Sequence, residues 1–392
     1  MKTIRARLLF PVSKPYISNG KLVVGNQGQI LYVGKWDGEV SGELITWDGI
    51  VIPGLINTHV HLELSALKDK IPKGMGVYYW VEKVQTERAL LDPKEISQAV
   101  ISSLKEMESS GTVAIGEVGN NFYGIEYLRK TRMRVVYFYE ILGFLPQMAE
   151  EIFFASLQKL KYFQTKYPEI EFFIAPHALY STSRELIKLI FARKEFRITT
   201  IHLAEGKEEN ELLEKGNGPW KTYLQKLGKW PSDWICPHLS PVSCFKTLLP
   251  KKRTILVHLC TISSEEIAWL RKQEKLIPCS CPRSNLYITG KLAPIDKFWQ
   301  SKIPVALGTD SLASNETLSL WDEMRMVKKY FPEIPAVEIL KMATLNSAWA
   351  LGLESEMGSL DQGKQPGILL VEAEDLEKAL EKERPLTLKR IA

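Results

Sequence analysis

The chain has 392 residues, of which 45% are hydrophobic and 25% charged, and its formal net charge at pH 7 is +5. This length allows one large domain and a smaller one, because a single hydrophobic core rarely grows beyond about 250–300 residues. The 51 basic and 46 acidic residues are spread along the chain without long blocks of one sign, whereas proteins that bind nucleic acid usually concentrate positive charge on one face. Composition therefore predicts a globular protein that does not bind nucleic acid.

The cysteines and the hydropathy pattern predict the cellular compartment. The five cysteines contain no C-x-x-C pair and leave an odd number, which does not favour a disulfide framework. No stretch approaches about 20 consecutive apolar residues, and residues 1–10 lack the apolar segment of a signal peptide. We therefore expect a cytoplasmic protein that does not associate with membranes.

Both ends of the chain are typical of short strands separated by turns. In residues 1–50, apolar runs such as 21–24 and 30–33 alternate with glycine-containing turn sequences, and residues 358–371 show short apolar runs again. We therefore predict a small β-sandwich domain composed of residues 1–50 and 356–392. Residues 51–355 then form a second, larger domain.

Within the central region a helix is followed directly by a strand. Asp92 is suited to cap this helix, Pro93 to occupy its first position and Glu95 to complete a capping box, and Gly111 ends it. The apolar run that starts at Thr112 is the next strand. This order predicts a βα repeat.

Eight apolar segments alternate with helical segments in this way. They are residues 51–57, 112–117, 134–141, 171–176, 197–202, 254–258, 276–280 and 303–308. Eight strands and helices over about 300 residues are typical of an α/β protein built on a (β/α)8 TIM-type barrel. A doubly wound open sheet would show a similar alternation, and the number of strands alone leaves that alternative open.

The first predicted strand is followed by His59 and His61. Their i, i+2 spacing places both imidazoles on one side of an extended chain, and neutral imidazole is a good ligand for zinc or iron. Taken alone, the two histidines could equally be polar residues at the end of a strand.

Three later strands also end at titratable residues, namely His202, His258 and Asp310. The C-terminal strand ends of a barrel form one mouth, so these residues and the first two histidines would converge there. Glu205 lies on the turn after His202, where a carboxylate could act on metal-bound water instead of binding the metal. The alternatives are the acidic start of a surface helix for Glu205 and a structural pairing with a histidine for Asp310.

Several segments together resemble the amidohydrolase superfamily, in its branch of aminohydrolases and chlorohydrolases that act on purines and triazines. In the family's order they are residues 53–61 (PGLINTHVH), 202–205 (HLAE), 281–286 (CPRSNL), 308–311 (GTDS), 313–315 (ASN) and 343–348 (ATLNSA). The resemblance implies one divalent metal ion, zinc in preference to iron, bound by His59, His61, His202 and Asp310. It also implies the composite β domain of the two chain ends.

The resemblance further implies catalytic roles for Glu205, His258 and Asp310. Glu205 would transfer a proton, while His258 and Asp310 would orient the attacking water. Binuclear members carry a lysine on the fourth strand, whereas that strand ends here in Ala175-Pro176-His177. A mononuclear site is therefore predicted.

Within this branch, the sequences HLELS (residues 61–65) and YYW (residues 78–80) and the presence of Arg283 are most similar to the aminodeoxyfutalosine deaminases of menaquinone biosynthesis. Deaminases of methylthioadenosine or S-adenosylhomocysteine are the next most similar. The implied reaction is hydrolytic deamination of an aminopurine nucleoside derivative, with loss of ammonia from C6. The candidate substrate-binding residues are His177, Glu63, Trp80, Arg283, Ser284 and Asn285.

The benzoate of aminodeoxyfutalosine requires a cation beyond the purine pocket. Arg283 is the first candidate, because its planar fork suits a carboxylate, and Arg88 is the second; an outward-pointing Arg283 paired with a surface acid is the alternative. Hydrolysis of a cyclic amide or a halogenated ring would use the same residues, and a catalytically silent scaffold is an alternative of another class. The expected partner is a small molecule, and the sequence leaves a homodimer open.

Overall fold

The computed structural model describes residues 1–381 and 386–391. The strands of this part, in chain order, are β1 (Lys2–Leu9), β2 (Ile17–Val24), β3 (Ile30–Lys35), β4 (Glu43–Pro53), β5 (Leu55–Val60), β6 (Thr112–Gly119), β7 (Arg134–Ile141), β8 (Glu171–Pro176), β9 (Ile198–Leu203), β10 (Arg253–His258), β11 (Leu276–Ser280), β12 (Ala306–Leu307), β13 (Ile368–Val371) and β14 (Leu388–Arg390).

The helices of the same residues are α1 (Val77–Arg88), α2 (Pro93–Ser109), α3 (Ile125–Leu128), α4 (Ala149–Lys166), α5 (Arg184–Ala192), α6 (Lys207–Lys215), α7 (Pro219–Lys226), α8 (Pro241–Lys246), α9 (Ser264–Leu270), α10 (Pro282–Ile288), α11 (Ile295–Gln300), α12 (Leu320–Tyr330), α13 (Ala336–Met342), α14 (Leu345–Leu351) and α15 (Leu376–Glu381). Two 3-10 helices lie at Leu62–Leu67 and Pro146–Met148. None of the helices in this described part combines the length and the hydropathy needed to span a bilayer.

Eight parallel strands close into a barrel. Strands β5 to β8 form one four-stranded sheet, and β9 to β12 form another. The two sheets meet where Ala178 bridges to His202, and again where Val60 bridges to Asp310. At the second junction the amide N–H of Asp310 also donates to the carbonyl of His59 (3.0 Å). The predicted barrel is therefore confirmed, and both of its closing contacts involve predicted site residues.

The barrel strands are buried on both faces, which explains their continuous apolar sequences. All eight residues of β6 are buried, for example. Helix α2 begins with the predicted capping box, in which Asp92 accepts from the amide of Lys94 (2.7 Å) and Glu95 accepts from the amide of Asp92 (3.1 Å). Its buried residues at helical spacing are Ile96, Val100, Leu104 and Met107, and they belong to the same hydrophobic cluster as the barrel strands.

The two chain ends together build a six-stranded mixed sheet with the strand order β14-β13-β4-β1-β2-β3. Strand β4 pairs with β1 in parallel and with β13 in antiparallel orientation, so it joins the two ends as predicted. Residues buried against this sheet include Ile4, Leu9, Leu22, Val24, Ile30, Ile368 and Leu370. Because β4 pairs with strands from both ends, the described strands of the two chain ends lie in one six-stranded sheet, where the sequence analysis predicted a small β-sandwich.

The terminal sheet and the barrel are joined at Gly54. Residues 51–53, which the sequence analysis assigned to the first barrel strand, belong to β4 and pair with β13. A Cβ atom at Gly54 would overlap the side chain of Val113, so glycine is required at this close approach. The glycine therefore divides one apolar run into two strands, and the barrel begins at Leu55.

Candidate active site

Three histidines form a compact cluster at the mouth of the barrel: His59 within β5, His61 directly after it and His202 near the end of β9. The Nε2 atom of His202 lies 3.3 Å from Nε2 of His59 and 3.3 Å from Nε2 of His61. His59 is fully buried and His202 is 6% exposed. The i, i+2 pair and the distant strand end are thus brought together as the barrel geometry predicted.

The hydrogen bond of its Nδ1 atom fixes the tautomer of His202. Nδ1 lies 3.0 Å from the carbonyl oxygen of His177, to which it can only donate, so a neutral ring leaves Nε2 with a free lone pair. Burial, assisted by the neighbouring His61, lowers the pKa of His202 to about 4, and burial lowers the pKa of His61 to about 4 as well. These imidazoles are therefore neutral at pH 7.

Neutral imidazoles arranged in this way fit a metal ion. The ligand atoms of a tetrahedral zinc ion, each about 2.0–2.1 Å from the metal, lie about 3.3–3.4 Å from one another, and the two Nε2 distances of 3.3 Å match this spacing. Lone pairs that face one another at such distances repel unless a cation or proton lies between them. The donor set and the spacing thus suit a metal site.

Asp310 lies beside this cluster, after β12. Its Oδ1 is 3.9 Å from Nε2 of His61, and its Oδ2 accepts from the hydroxyl of Ser284 (2.6 Å). Burial raises the pKa of the Asp310 carboxyl, while the hydrogen bond from Ser284 opposes this rise. The carboxylate therefore has one oxygen held by the protein and one directed to the histidines.

Glu205 and His258 lie next to the cluster, on the β9 and β10 sides. Oε1 of Glu205 is 3.6 Å from Nε2 of His258. Nδ1 of His258 accepts from the side-chain amide of Asn285 (2.8 Å). Since Nδ1 accepts, the proton of the neutral ring lies on Nε2, which faces Glu205. Burial raises the pKa of Glu205 well above its ordinary value, and the nearby Asp310 adds to the effect.

The backbone is strained where these side chains leave their strands. Ala204, His258, Leu259 and Asp310 have φ values of 54°, 79°, 55° and 56°. Residues with a Cβ atom rarely adopt this left-handed region, and such strain is typical of functional sites that the surrounding structure holds in place. Regular strand geometry would have directed these side chains elsewhere, so the sequence alone could not predict their orientations.

A cavity adjoins the cluster and is lined by three of the six predicted substrate-binding residues. Of these, His177, Glu63 and Trp80 line it, together with the predicted metal and catalytic residues His61, His202, Glu205, His258 and Asp310. Nδ1 of His177 is 2.6 Å from the hydroxyl of Ser181, and the indole N–H of Trp80 donates to the carbonyl of Ala313 (3.3 Å). Other residues around the cavity are Leu64, Val81, Val84, Gln85, Arg88, Val118, Gly119, Asn120, Glu140, Leu142 and Tyr180.

Ser284 and Asn285 do not line this cavity, although the sequence analysis placed them against the substrate. Both are fully buried. Helix α10 starts at Pro282, directly after β11, and its first turn therefore lies behind the reactive side chains. There the hydroxyl of Ser284 donates to Asp310 and the side-chain amide of Asn285 donates to His258.

Arg283 is also outside the cavity. Its guanidinium donates to Asn315 (2.9 Å) and to the exposed Glu316 (3.0 Å), and Glu316 in turn pairs with Lys73 (2.7 Å). This is the alternative that the sequence left open for Arg283, an arginine paired with a surface acid. The reason is again the start of α10, which directs residue 283 away from the barrel axis.

The cavity contains two further polar residues, Arg88 and Glu140. The sequence analysis ranked Arg88 second as a benzoate-binding residue and did not single out Glu140. Arg88 of α1 donates to Glu63 (2.8 Å) and to Asn120 (3.2 Å). Oε1 of Glu140 lies 3.5 Å from Nδ1 of His202, and burial raises the pKa of Glu140 to about 8. Because Glu140 lies at the end of β7, the rule that selected the other strand-end residues would have found it, whereas only the fold brings Arg88 to Glu63.

A second group of possible metal ligands, formed by Glu140, His177 and His202, overlaps the first. Nδ1 of His202 is already used in its hydrogen bond to the backbone, so this nitrogen does not offer a lone pair to a second ion. Glu140 instead lies where a carboxylate orients a metal-binding histidine from behind. The geometry favours one ion, in agreement with the absence of the fourth-strand lysine.

Comparison with known proteins agrees with this geometry. The sequence profile of the amidohydrolase family matches residues 50–388. The chain is 30% identical over 346 residues to a 5-methylthioadenosine/S-adenosylhomocysteine deaminase of Pyrococcus furiosus, a match that covers 82% of this chain and 74% of the relative. It is 27% identical over 334 residues to an aminodeoxyfutalosine deaminase of Nitratiruptor, covering 83% of this chain and 79% of the relative.

Solved structures share the fold over nearly the whole chain. The aminofutalosine deaminase of Helicobacter pylori in complex with methylthio-coformycin superposes with a TM-score of 0.86 at 21% identity and full coverage of both chains. A zinc complex of an atrazine chlorohydrolase from Arthrobacter aurescens gives a TM-score of 0.74 at 20% identity, covering 97% of this chain and 91% of the other. The chain belongs to the amidohydrolase family, whose members are metal-dependent, and it is a hydrolytic enzyme that acts on carbon–nitrogen bonds.

Proposed function

We propose that the protein is a metal-dependent deaminase of an aminopurine nucleoside derivative, with 6-amino-6-deoxyfutalosine as the favoured substrate. The observation that carries the deaminase proposal is the convergence of three imidazole Nε2 atoms beside a buried glutamate and a second histidine in one cavity. Deamination needs this combination, because water must be activated and a proton must be delivered to a ring nitrogen. The names of the related deaminases support the choice of substrate class.

One divalent ion, which we propose to be zinc, would be held by His59, His61, His202 and Asp310. When bound, zinc would lower the pKa of a coordinated water to about 7, so that hydroxide would be available at neutral pH. Imidazole and carboxylate ligands suit zinc and also iron. Near neutral pH the histidines need not lose protons before they bind, since burial already keeps them neutral.

Glu205 is proposed to move the proton. Its buried carboxyl has a raised pKa. A carboxyl group with a raised pKa is suited both to accept a proton from water and to deliver it to the purine ring. His258 presents an N–H toward Glu205 because Asn285 occupies its other nitrogen. That N–H is suited to orient the attacking oxygen toward the amino-bearing carbon, from which ammonia leaves.

Recognition of a benzoate is proposed for Arg88 instead of Arg283. Arg88 lines the cavity and Arg283 does not. The Glu63 carboxylate that holds Arg88 is itself fixed by the amides of Asn121 and Tyr123 (both 3.1 Å). A guanidinium fixed on one edge retains further N–H groups for a carboxylate of the substrate.

The experiment that tests this proposal is a comparison of substrates with the metal-loaded enzyme, followed by ultraviolet absorbance and by ammonia release. We expect the highest kcat/KM with aminodeoxyfutalosine and lower values with methylthioadenosine, S-adenosylhomocysteine and adenosine. The second candidate is deamination of methylthioadenosine or S-adenosylhomocysteine, which the relative of 30% identity favours. A higher kcat/KM with either of these would assign that function, and ammonia release from none of the aminopurines would overturn the proposal.

A further inference from the structure

The peptide group that joins Ala204 to Glu205 is held at both of its polar atoms. The carbonyl oxygen of Ala204 accepts from the amide N–H of Thr261 (2.9 Å) and from the hydroxyl of Thr261 (3.2 Å). On the other side, the amide N–H of Glu205 donates to Oε2 of Glu209 (3.3 Å). Because a peptide group is planar and rigid, these contacts fix the direction in which Glu205 leaves strand β9.

The turn needs such anchors because its backbone is unfavourable on its own. Ala204 adopts a φ of 54°, a conformation that persists in residues with a Cβ atom only where the surroundings hold it. Glu209 lies in the first turns of α6 and is 2% exposed. A buried carboxyl group without a cation partner is costly, so its presence calls for an explanation beyond packing.

Glu209 is close to Glu205 without lining the substrate cavity. The residues around that cavity do not include Glu209, and its carboxyl group accepts from the amide N–H of Glu205. Burial raises the pKa of the Glu209 carboxyl to about 8, so the neutral acid predominates at pH 7. The neutral acid still offers a carbonyl oxygen to the amide.

We propose that Glu209 is a positioning residue that fixes the peptide of the proton-transferring Glu205 and thereby sets the rate of the proton-transfer step. The inference rests on the proposed role of Glu205 in deamination. It distinguishes Glu209 from the buried glutamates that only stabilise the fold, since the amide that Glu209 binds belongs to the reacting residue itself.

The first test compares two substitutions at this position. Glu209→Gln keeps a carbonyl oxygen for the amide of Glu205, and we expect it to retain most of the parent kcat. Glu209→Leu has a similar volume but no acceptor, and we expect kcat to fall by about 10- to 100-fold, the scale expected for small misplacements of reacting groups. KM and bound metal should stay near the parent values in both variants. Thr261→Val, which removes one bond to the opposite end of the peptide, should lower kcat less.

A matched control is available in α9. Glu266 is also buried, at 5% exposed, and accepts a backbone amide, that of Ser263 (2.9 Å). Glu266→Leu should lower the thermal transition temperature as Glu209→Leu does, yet leave kcat unchanged. If the two variants lose kcat in parallel with stability, or if Glu209→Leu keeps the parent kcat, Glu209 has no positioning role.

A second readout does not depend on turnover. Amide hydrogen exchange at Glu205 should be faster in Glu209→Leu than in the parent, and close to the parent rate in Glu209→Gln. Unchanged exchange in Glu209→Leu would overturn the proposal even if activity fell. If the parent protein deaminates no aminopurine, the proposed function fails, whereas the exchange measurement still decides whether Glu209 fixes this peptide.

Discussion

The two sides of the cavity are built from different chemistry. On the β9–β12 side, Ser284 holds Asp310, Asn285 holds His258, and the amide of Glu205 donates to the carboxyl group of Glu209. On the β5–β8 side, the cavity is lined by the carboxyl groups of Glu63 and Glu140 and by Arg88, which is 2.8 Å from Glu63. Neutral partners leave a group free to gain and lose charge, whereas a fixed ion pair suits recognition of a charged ligand.

Burial acts on both sides, with different consequences. On the β5–β8 side it raises the pKa of Glu117 well above the ordinary value and that of Glu140 to about 8. Both carboxyl oxygens of Glu117 accept from the backbone N–H of Leu62 (3.2 Å each), which directly follows His61. We infer that this side orients the metal-binding histidines and the substrate, while proton transfer belongs to the other side.

The largest effect should come from the metal site that joins the two sides. His59→Ala removes one of the converging nitrogens, so the ion should be lost together with nearly all activity. Elemental analysis should find near one equivalent of metal in the parent protein and much less in the variant. Two equivalents in the active parent would contradict the single-ion site.

The next largest effect should come from Glu205. Glu205→Gln keeps the shape of the side chain but removes its proton-transfer capacity, so the rate should fall by at least about 100-fold. The metal content should stay at the parent value, in contrast to His59→Ala. Near-normal turnover in this variant would assign proton transfer to another residue and would remove the division of labour between the two sides.

Arg88 tests the recognition side. Arg88→Met should reduce kcat/KM for a carboxylate-bearing substrate by roughly 10- to 150-fold, corresponding to a charge-assisted hydrogen bond of about 1.5–3 kcal/mol. Methylthioadenosine lacks this charge and should be affected little. Since Arg88→Met also leaves Glu63 buried without its cation, the double variant Arg88→Met/Glu63→Gln is the control. Equal losses on both substrates in the double variant would assign Arg88 to the architecture of the site.

Arg283 should give the smallest effect. Its ion-pair partner Glu316 is exposed, and exposed ion pairs contribute about 0–1 kcal/mol to stability. We expect Arg283→Met to change kcat/KM little and by the same factor on carboxylate-bearing and neutral substrates. A selective loss on the carboxylate substrate would return the recognition role to Arg283, as the sequence analysis first suggested.

The sequence by itself determined the alternation of strands and helices and the positions of the residues that meet at the mouth of the barrel. Periodicity and capping located the strands, and the placement of His59, His202, His258 and Asp310 at strand ends indicated a common site, because parallel barrel strands end at one mouth. The roles of these residues stay proposals, but their convergence could be predicted. The positions of the strands depend on local sequence, and the convergence of their ends follows from the symmetry of the barrel.

Other features were decided only by the tertiary structure. The direction of a side chain on a turn depends on backbone angles and on contacts with distant segments, so the start of α10 turned Ser284 and Asn285 behind the site and Arg283 outward. In the same way, only the packing of α1 brought Arg88 against Glu63 across 25 residues of sequence. Sequence patterns report which residues lie near a strand end, whereas long-range packing decides which of them face the substrate.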